Sequence, residues 1–102
     1  MQESEETMRN ITATVYGAFM ADKSIKISNS EVRAMEEQTH LYLFDNLIAY
    51  KNRLTGEIKI CFAGWFSNTT KERLRAFADI TTKQGRVFVN GQEVTSTQWI
   101  TV

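Results

Sequence analysis

Apolar residues recur first at the spacing of a helix and then, from Ile25 onward, at the spacing of strands. Met8, Ile11, Val15, Ala18 and Phe19 fall at i, i+3, i+7, i+10 and i+11, one face of a helix running from Met8 to about Ala21. The stretch Ile11-Thr12-Ala13-Thr14-Val15 also alternates with period two and is β-branched enough for a strand. Continuation of the longer period through Phe19 decides for helix, although Gly17 weakens it by about 1 kcal/mol relative to alanine. Residues 1–7, with Glu3, Glu5 and Glu6 and nothing large and apolar after Met1, form a flexible acidic lead-in to a single domain over 8–102. Those carboxylates would also suit the positive end of the helix dipole.

Ile25-Lys26-Ile27 is a short alternating strand closed by the turn formers Ser28-Asn29-Ser30. Arg33 to Thr39 is charged and without a clear period, an acidic connection or a helical turn. His40 to Lys51 carries the strongest strand signal, interrupted by a tight turn or bulge at Asp45-Asn46. Leu41 and Leu43 fall on one face, Tyr42 and Phe44 on the other, so both faces are apolar. A helix would cover one and something else, such as a partner, the other. After the turn Asn52-Arg53-Leu54-Thr55-Gly56, a third strand over Glu57 to Ala63 completes a meander.

Gly64 ends that strand, two adjacent aromatics follow, and Thr69-Thr70-Lys71-Glu72 has the spacing of a capping box. A short helix over about 69–78 is expected, with Leu74, Phe77 and Ala78 toward the sheet and Lys71, Arg73 and Arg75 left at its rim. Ile80 to Lys83 and Arg86 to Val89 read as a hairpin turning at Gln84-Gly85, Asn90-Gly91 is a second turn, and Trp99 to Val102 closes with a short strand. The fold class is therefore α+β. A small antiparallel sheet, made of a central meander and a C-terminal hairpin, packs with an N-terminal helix and a short capped helix.

Charge adds one feature. The 12 basic and 12 acidic residues cancel, yet residues 1–50 hold four basic against eight acidic side chains and residues 51–86 hold eight against three. If the fold keeps that segregation, a basic surface faces nucleic acid or an acidic protein. Cys61 is the single cysteine and lies mid-strand, a buried structural residue, which excludes an intrachain disulfide and fits a reducing cytoplasm. His40 is the single histidine, a strand residue with a satisfied imidazole. The longest apolar run is far short of the ~20 residues of a membrane helix, and the acidic N-terminus has no signal-peptide pattern.

Three blocks, Leu41-Tyr42-Leu43-Phe44-Asp45-Asn46-Leu47-Ile48-Ala49, Gly64-Trp65-Phe66-Ser67-Asn68-Thr69-Thr70-Lys71-Glu72-Arg73-Leu74 and Phe88-Val89-Asn90-Gly91-Gln92-Glu93, follow Lys26-Ile27-Ser28-Asn29 in this order. In them the chain resembles a group of small, uncharacterised bacteriophage and prophage accessory proteins. The resemblance covers most of the chain after Lys23. It implies a protein made in the cytoplasm of a bacterial host, and it implies no activity.

No Walker loop, dinucleotide fingerprint, metal-ligand cluster or nucleophile elbow occurs, so no catalytic, cofactor or metal residue is assigned and an enzyme is not expected. Two binding functions remain. Trp65, Phe66 and Trp99 are anchors of the kind enriched at protein-binding hot spots, which suits docking on a host or phage protein in host takeover or anti-defence. The alternative is nucleic acid, with Lys71, Arg73 and Arg75 joined by Lys51, Arg53, Lys59 and Arg86 on phosphates and Tyr42, Trp65 or Trp99 stacked on bases. Zero net charge favours the first. Homodimerisation through the second sheet face or an edge strand is a further expectation, and no membrane partner is. The inward or outward direction of Trp65 and Phe66 decides most.

Overall fold

The computed structural model describes residues 5–102. Its elements are α1 (Glu5–Met20), β1 (Ile25–Ile27), β2 (Ser30–Ala34), β3 (Gln38–Leu43), β4 (Asn46–Asn52), β5 (Ile58–Ile60), α2 (Asn68–Leu74), β6 (Ile80–Lys83), β7 (Arg86–Val89), β8 (Gln92–Glu93) and β9 (Ile100–Thr101). The chain is an α+β domain. One sheet has the order β1-β2-β3-β4-β5-β9, with every pairing antiparallel, and a second has the order β6-β7-β8.

The helix period wins in α1, which buries Ile11, Thr12, Val15 and Phe19 against the larger sheet. It begins at Glu5, so residues 5–7 of the acidic lead-in form its first turn; residues 1–4 lie outside the described part. The segment 33–39 is not a helical turn and is an acidic connection only over Met35-Glu36-Glu37. Its first two residues end β2, and β3 begins at Gln38, which makes the meander five strands long rather than three. The strands alternate cleanly: Ser30, Val32, Thr39, Leu41 and Leu43 are buried under α1, while Glu31, Arg33, His40 and Tyr42 lie on the other face. A register shift between Leu41 and Tyr42 inserts Ile48 as an extra residue, so Ile48 and Ala49 are both buried. That bulge accounts for the unbroken apolar run 47–50.

The interstrand turn sits one residue before its expected place. Phe44 and Asp45 occupy it with φ of 49° and 64°, the pair of left-handed residues of a type I′ hairpin, and Asn46 already belongs to β4. At the C-terminal end the hairpin β6–β7 turns at Gln84-Gly85 as expected, Asn90-Gly91 leads into β8, and β9 returns to pair with β5. Val87, Val89 and Val94 join the same core.

The C-terminus of α1 is held by an unusual anchor. The Lys23 N–H bonds the Ala18 carbonyl at 2.9 Å and the Asp22 N–H bonds the Phe19 carbonyl at 3.3 Å, a Schellman motif with Asp22 (φ 55°) where glycine is commonest. Aspartate tolerates that conformation, and its carboxylate is used. Thr39 Oγ1 donates to it at 2.6 Å, Lys51 Nζ lies 2.9 Å away and Arg53 Nε 3.6 Å. The Thr39 hydrogen bond first, then Lys51 and Arg53, hold the Asp22 carboxyl below its usual 3.8. A carboxylate with a depressed folded-state pKa contributes stability that is complete above its unfolded value of about 3.9 and is lost as the pH falls through the folded value. Denaturant melts at about pH 6 and about pH 3 should therefore show a steeper acid loss for the parent than for Asp22→Asn. Equal losses would remove Asp22 from the acid limb.

Candidate functional site

The two aromatics of the β5–α2 loop part company. Phe66 turns inward and meets Phe62 edge-on at 4.9 Å, whereas Trp65 is 70% exposed. The backbone around them is tightly set. Ala63 (φ 57°) and Gly64 (φ 108°) are both left-handed, and the Gly64 N–H bonds the Ser96 carbonyl at 2.9 Å. The Cys61 thiol, buried as expected, lies 3.8 Å from that carbonyl. Trp65 thus sits on a loop anchored at its root.

Across a depression of about 80 Å³ from Trp65 stands Phe44, with Leu43, Ile48 and Phe62 in the lining. Phe44 is 61% exposed. A left-handed aromatic costs roughly 1–2 kcal/mol, and here no burial offsets it. Exposed aromatic residues on two neighbouring turns, one of them itself left-handed, are what an interaction site retains and a core would discard. The depression has room for about one side chain and not for a cofactor-sized ligand.

The basic residues do not assemble beside it. Arg73, expected at the rim of the short helix, is 1% exposed. Its Nε donates to Ser30 Oγ at 3.0 Å, Nη1 to Thr12 Oγ1 at 3.0 Å and to the Met8 carbonyl at 3.3 Å, and Nη2 to Asn29 Oδ1 at 3.3 Å. Arg73 therefore ties α2 to α1 and to the β1–β2 turn. Lys51, also expected on the surface, is 7% exposed and donates to the Phe19 and Met20 carbonyls at the end of α1. Arg53 joins the same anchor through Asp22 and donates to the Met35 carbonyl. Of the basic triplet, Lys71 on α2 is partly exposed and Arg75, at its C-cap, is exposed and lies 3.9 Å from Glu72. Lys59 has Glu57 at 4.0 Å and Arg86 has Glu93 at 3.7 Å. Folding disperses the charge that is segregated along the chain.

The helix that carries Lys71 starts two residues earlier than the capping-box spacing suggests. Ser67 is the N-cap, with extended backbone (φ −73°, ψ 154°), and its Oγ accepts the Thr70 N–H at 3.1 Å while also bonding Thr70 Oγ1 at 2.7 Å. The helix closes at Leu74, and Phe77 lies beyond it in a turn. Leu74 enters the core as expected, whereas Phe77, expected toward the sheet, packs on α1 instead. Leu74 is fully buried, and Phe77 meets Tyr16 and Phe19 edge-on, each at 5.1 Å.

Trp99 belongs to a separate feature, on the face of the large sheet away from α1. Its ring meets Tyr50 edge-on at 5.0 Å, Tyr50 lies 6.4 Å from His40, and His40 lies 5.8 Å from Tyr42. Arg33 covers Tyr42 at 4.5 Å from the ring centre. His40 Nε2 bonds Gln38 Oε1 at 2.8 Å and so carries the proton, leaving Nδ1 to accept from the Tyr42 hydroxyl at 3.0 Å. Burial of the ring, and Arg33 beside it, hold His40 below its usual 6.5, which favours this neutral form. His40 and Tyr50 were legible as strand residues, but their union with Trp99 depends on β9 returning beside β5, a pairing that no local pattern encodes.

Among the described residues no group of His, Cys, Asp and Glu is placed to hold a metal ion, and no helix is long and apolar enough to cross a membrane. No curated protein and no solved structure matches the chain. The family model for the Kyanoviridae Gp96 protein matches residues 8–101, nearly the whole described domain, and the chain belongs to that bacteriophage protein family.

Proposed function

We propose that this phage protein is a non-enzymatic accessory protein that docks on a protein of the host or of the phage through Trp65 and Phe44. The observation that carries this reading is the pair itself: two exposed aromatics on strained, anchored turns, rimming a depression that fits one apolar side chain of a partner. Trp and other aromatics are the side chains most often found as interface anchors, and a fixed loop loses little freedom on binding. The nucleic-acid alternative has lost its main support, because Arg73 and Lys51 are buried and Arg53, Arg75 and Arg86 each lie beside a carboxylate.

The test is affinity capture from phage-infected bacteria with the parent chain and with a Trp65→Ala, Phe44→Ala chain, followed by calorimetry on the purified partner. Loss of an interface anchor of about 2 kcal/mol corresponds to roughly 30-fold weaker binding for the double variant. Circular dichroism should show both chains equally folded, since neither side chain supports the core. A partner bound equally well by both chains, or capture of nucleic acid alone, would sink the proposal.

A further inference from the structure

The face of the large sheet opposite α1 carries the row Tyr42, His40, Tyr50 and Trp99, with Arg33 at one end. We infer that this face is a second docking surface and that its occupant is an extended, proline-rich segment of another protein. This is independent of the Trp65 site, whose depression is lined by the inward residues Leu43, Ile48 and Phe62.

Four properties of the row select that occupant. The first is charge. Arg33 is bound to Glu31 at 3.1 Å, Lys26 lies opposite the same glutamate in the β1–β2 register, and Lys59 has Glu57 at 4.0 Å, so carboxylates offset most of the positive charge on this face. A polyphosphate strand would meet little net attraction, and an uncharged ligand meets no opposition. The second is size. The aromatic row spans β3 to β9, about three strand spacings of ~4.8 Å, by some five residues of ~3.3 Å, or roughly 250 Å². A stable dimer needs about 800 Å² from each partner, so the row is too small for a second copy and suits one short segment.

The third is the kind of group exposed. The face offers rings and no free backbone, so a ligand that must pair its N–H groups would go to the edge strand β1 instead. A proline-rich segment has few N–H groups, keeps its extended helix without a partner strand, and presents carbonyls that the Tyr50 hydroxyl and the Trp99 indole N–H can meet. The fourth is order. The ring-on-ring contacts and the Gln38–His40–Tyr42 hydrogen bonds fix the rings before anything binds. Stiff ligand and stiff surface together reduce the entropy lost on association.

Decaproline, titrated into the isotope-labelled full chain and followed by amide and indole NMR shifts, tests this. Shifts should be confined to β3, β4, β5, β9 and the Trp99 indole, and Trp99→Ala should weaken binding by about 10-fold or more. Trp65→Ala should bind decaproline as the parent does, which separates failure here from failure at the other site. The mapping on the unaltered chain holds even if Trp99→Ala folds poorly. No shift at millimolar peptide, shifts centred on Trp65, tighter binding of oligothymidine to the same residues, or the same shifts on concentrating the chain alone would each overturn the proposal.

Discussion

Arg73→Ala is expected to be among the most destabilising single substitutions in this protein, at about 3–5 kcal/mol in urea or thermal melts. The guanidinium is buried and donates to two hydroxyls, an amide oxygen and a main-chain carbonyl drawn from three different elements. Truncation would leave Thr12 Oγ1 and Ser30 Oγ buried without this donor and open a cavity the size of a long side chain between α1, α2 and the β1–β2 turn. Lysine in its place keeps a charge but not the planar fork that serves these groups together, so it should recover only part of the loss. Lys71→Ala on the same helix should stay within about 0.5 kcal/mol. If the Arg73 and Lys71 variants melted alike, the arginine would not be the tie between these elements.

That ranking reverses what the sequence suggests, and the reason is instructive. Thr70, Arg73, Leu74 and Phe77 fall at i, i+3, i+4 and i+7, so Arg73 lies on the buried side by spacing. Its chemistry argues the other way, because arginine is rarely buried unless paired. The partners that reverse the outcome come from residues 8, 12, 29 and 30, more than forty positions away, and no local window shows them. Ser67 against Thr69 as the cap is a smaller case of the same kind. Both spacings are plausible, and Thr70, whose hydroxyl answers Ser67, displaces the glutamate expected to complete the box.

Where one face repeats strongly, the sequence was sufficient. Ile11, Val15 and Phe19 define α1, Leu41 and Leu43 define β3, and Gln84-Gly85 closes the C-terminal hairpin. β2 was missed because its inward positions are Ser30, Val32 and Ala34, of which only one is a large apolar residue; its neighbours β1 and β3 impose its pairing. The candidate site was half legible. Trp65 was singled out, but its counterpart Phe44 read as a strand residue, and only the one-residue displacement of the turn brings it out beside Trp65.

Lys51→Met should cost about 3–4 kcal/mol, the second large effect. The ammonium is buried at the end of α1, where it donates to the Phe19 carbonyl at 3.3 Å and the Met20 carbonyl at 3.1 Å and pairs with Asp22 at 2.9 Å. A cation at a helix C-terminus meets the negative end of the dipole, and these carbonyls are among those the helix itself cannot satisfy. Methionine fills similar volume, so little of the loss comes from packing. It takes the ammonium donor from the Met20 carbonyl and removes one of the donors to the Phe19 carbonyl and to the Asp22 carboxylate. Asp22 would retain Thr39 and Arg53, so its carboxyl should rise toward its ordinary value and the acid limb of the stability profile should flatten in the variant. Asp22→Asn combined with Lys51→Met should cost less than the sum of the two single changes, by about 1 kcal/mol or more, because each single change already breaks the pair. A strictly additive double-mutant cycle would show that the lysine acts on the helix end alone and the aspartate on its own turn.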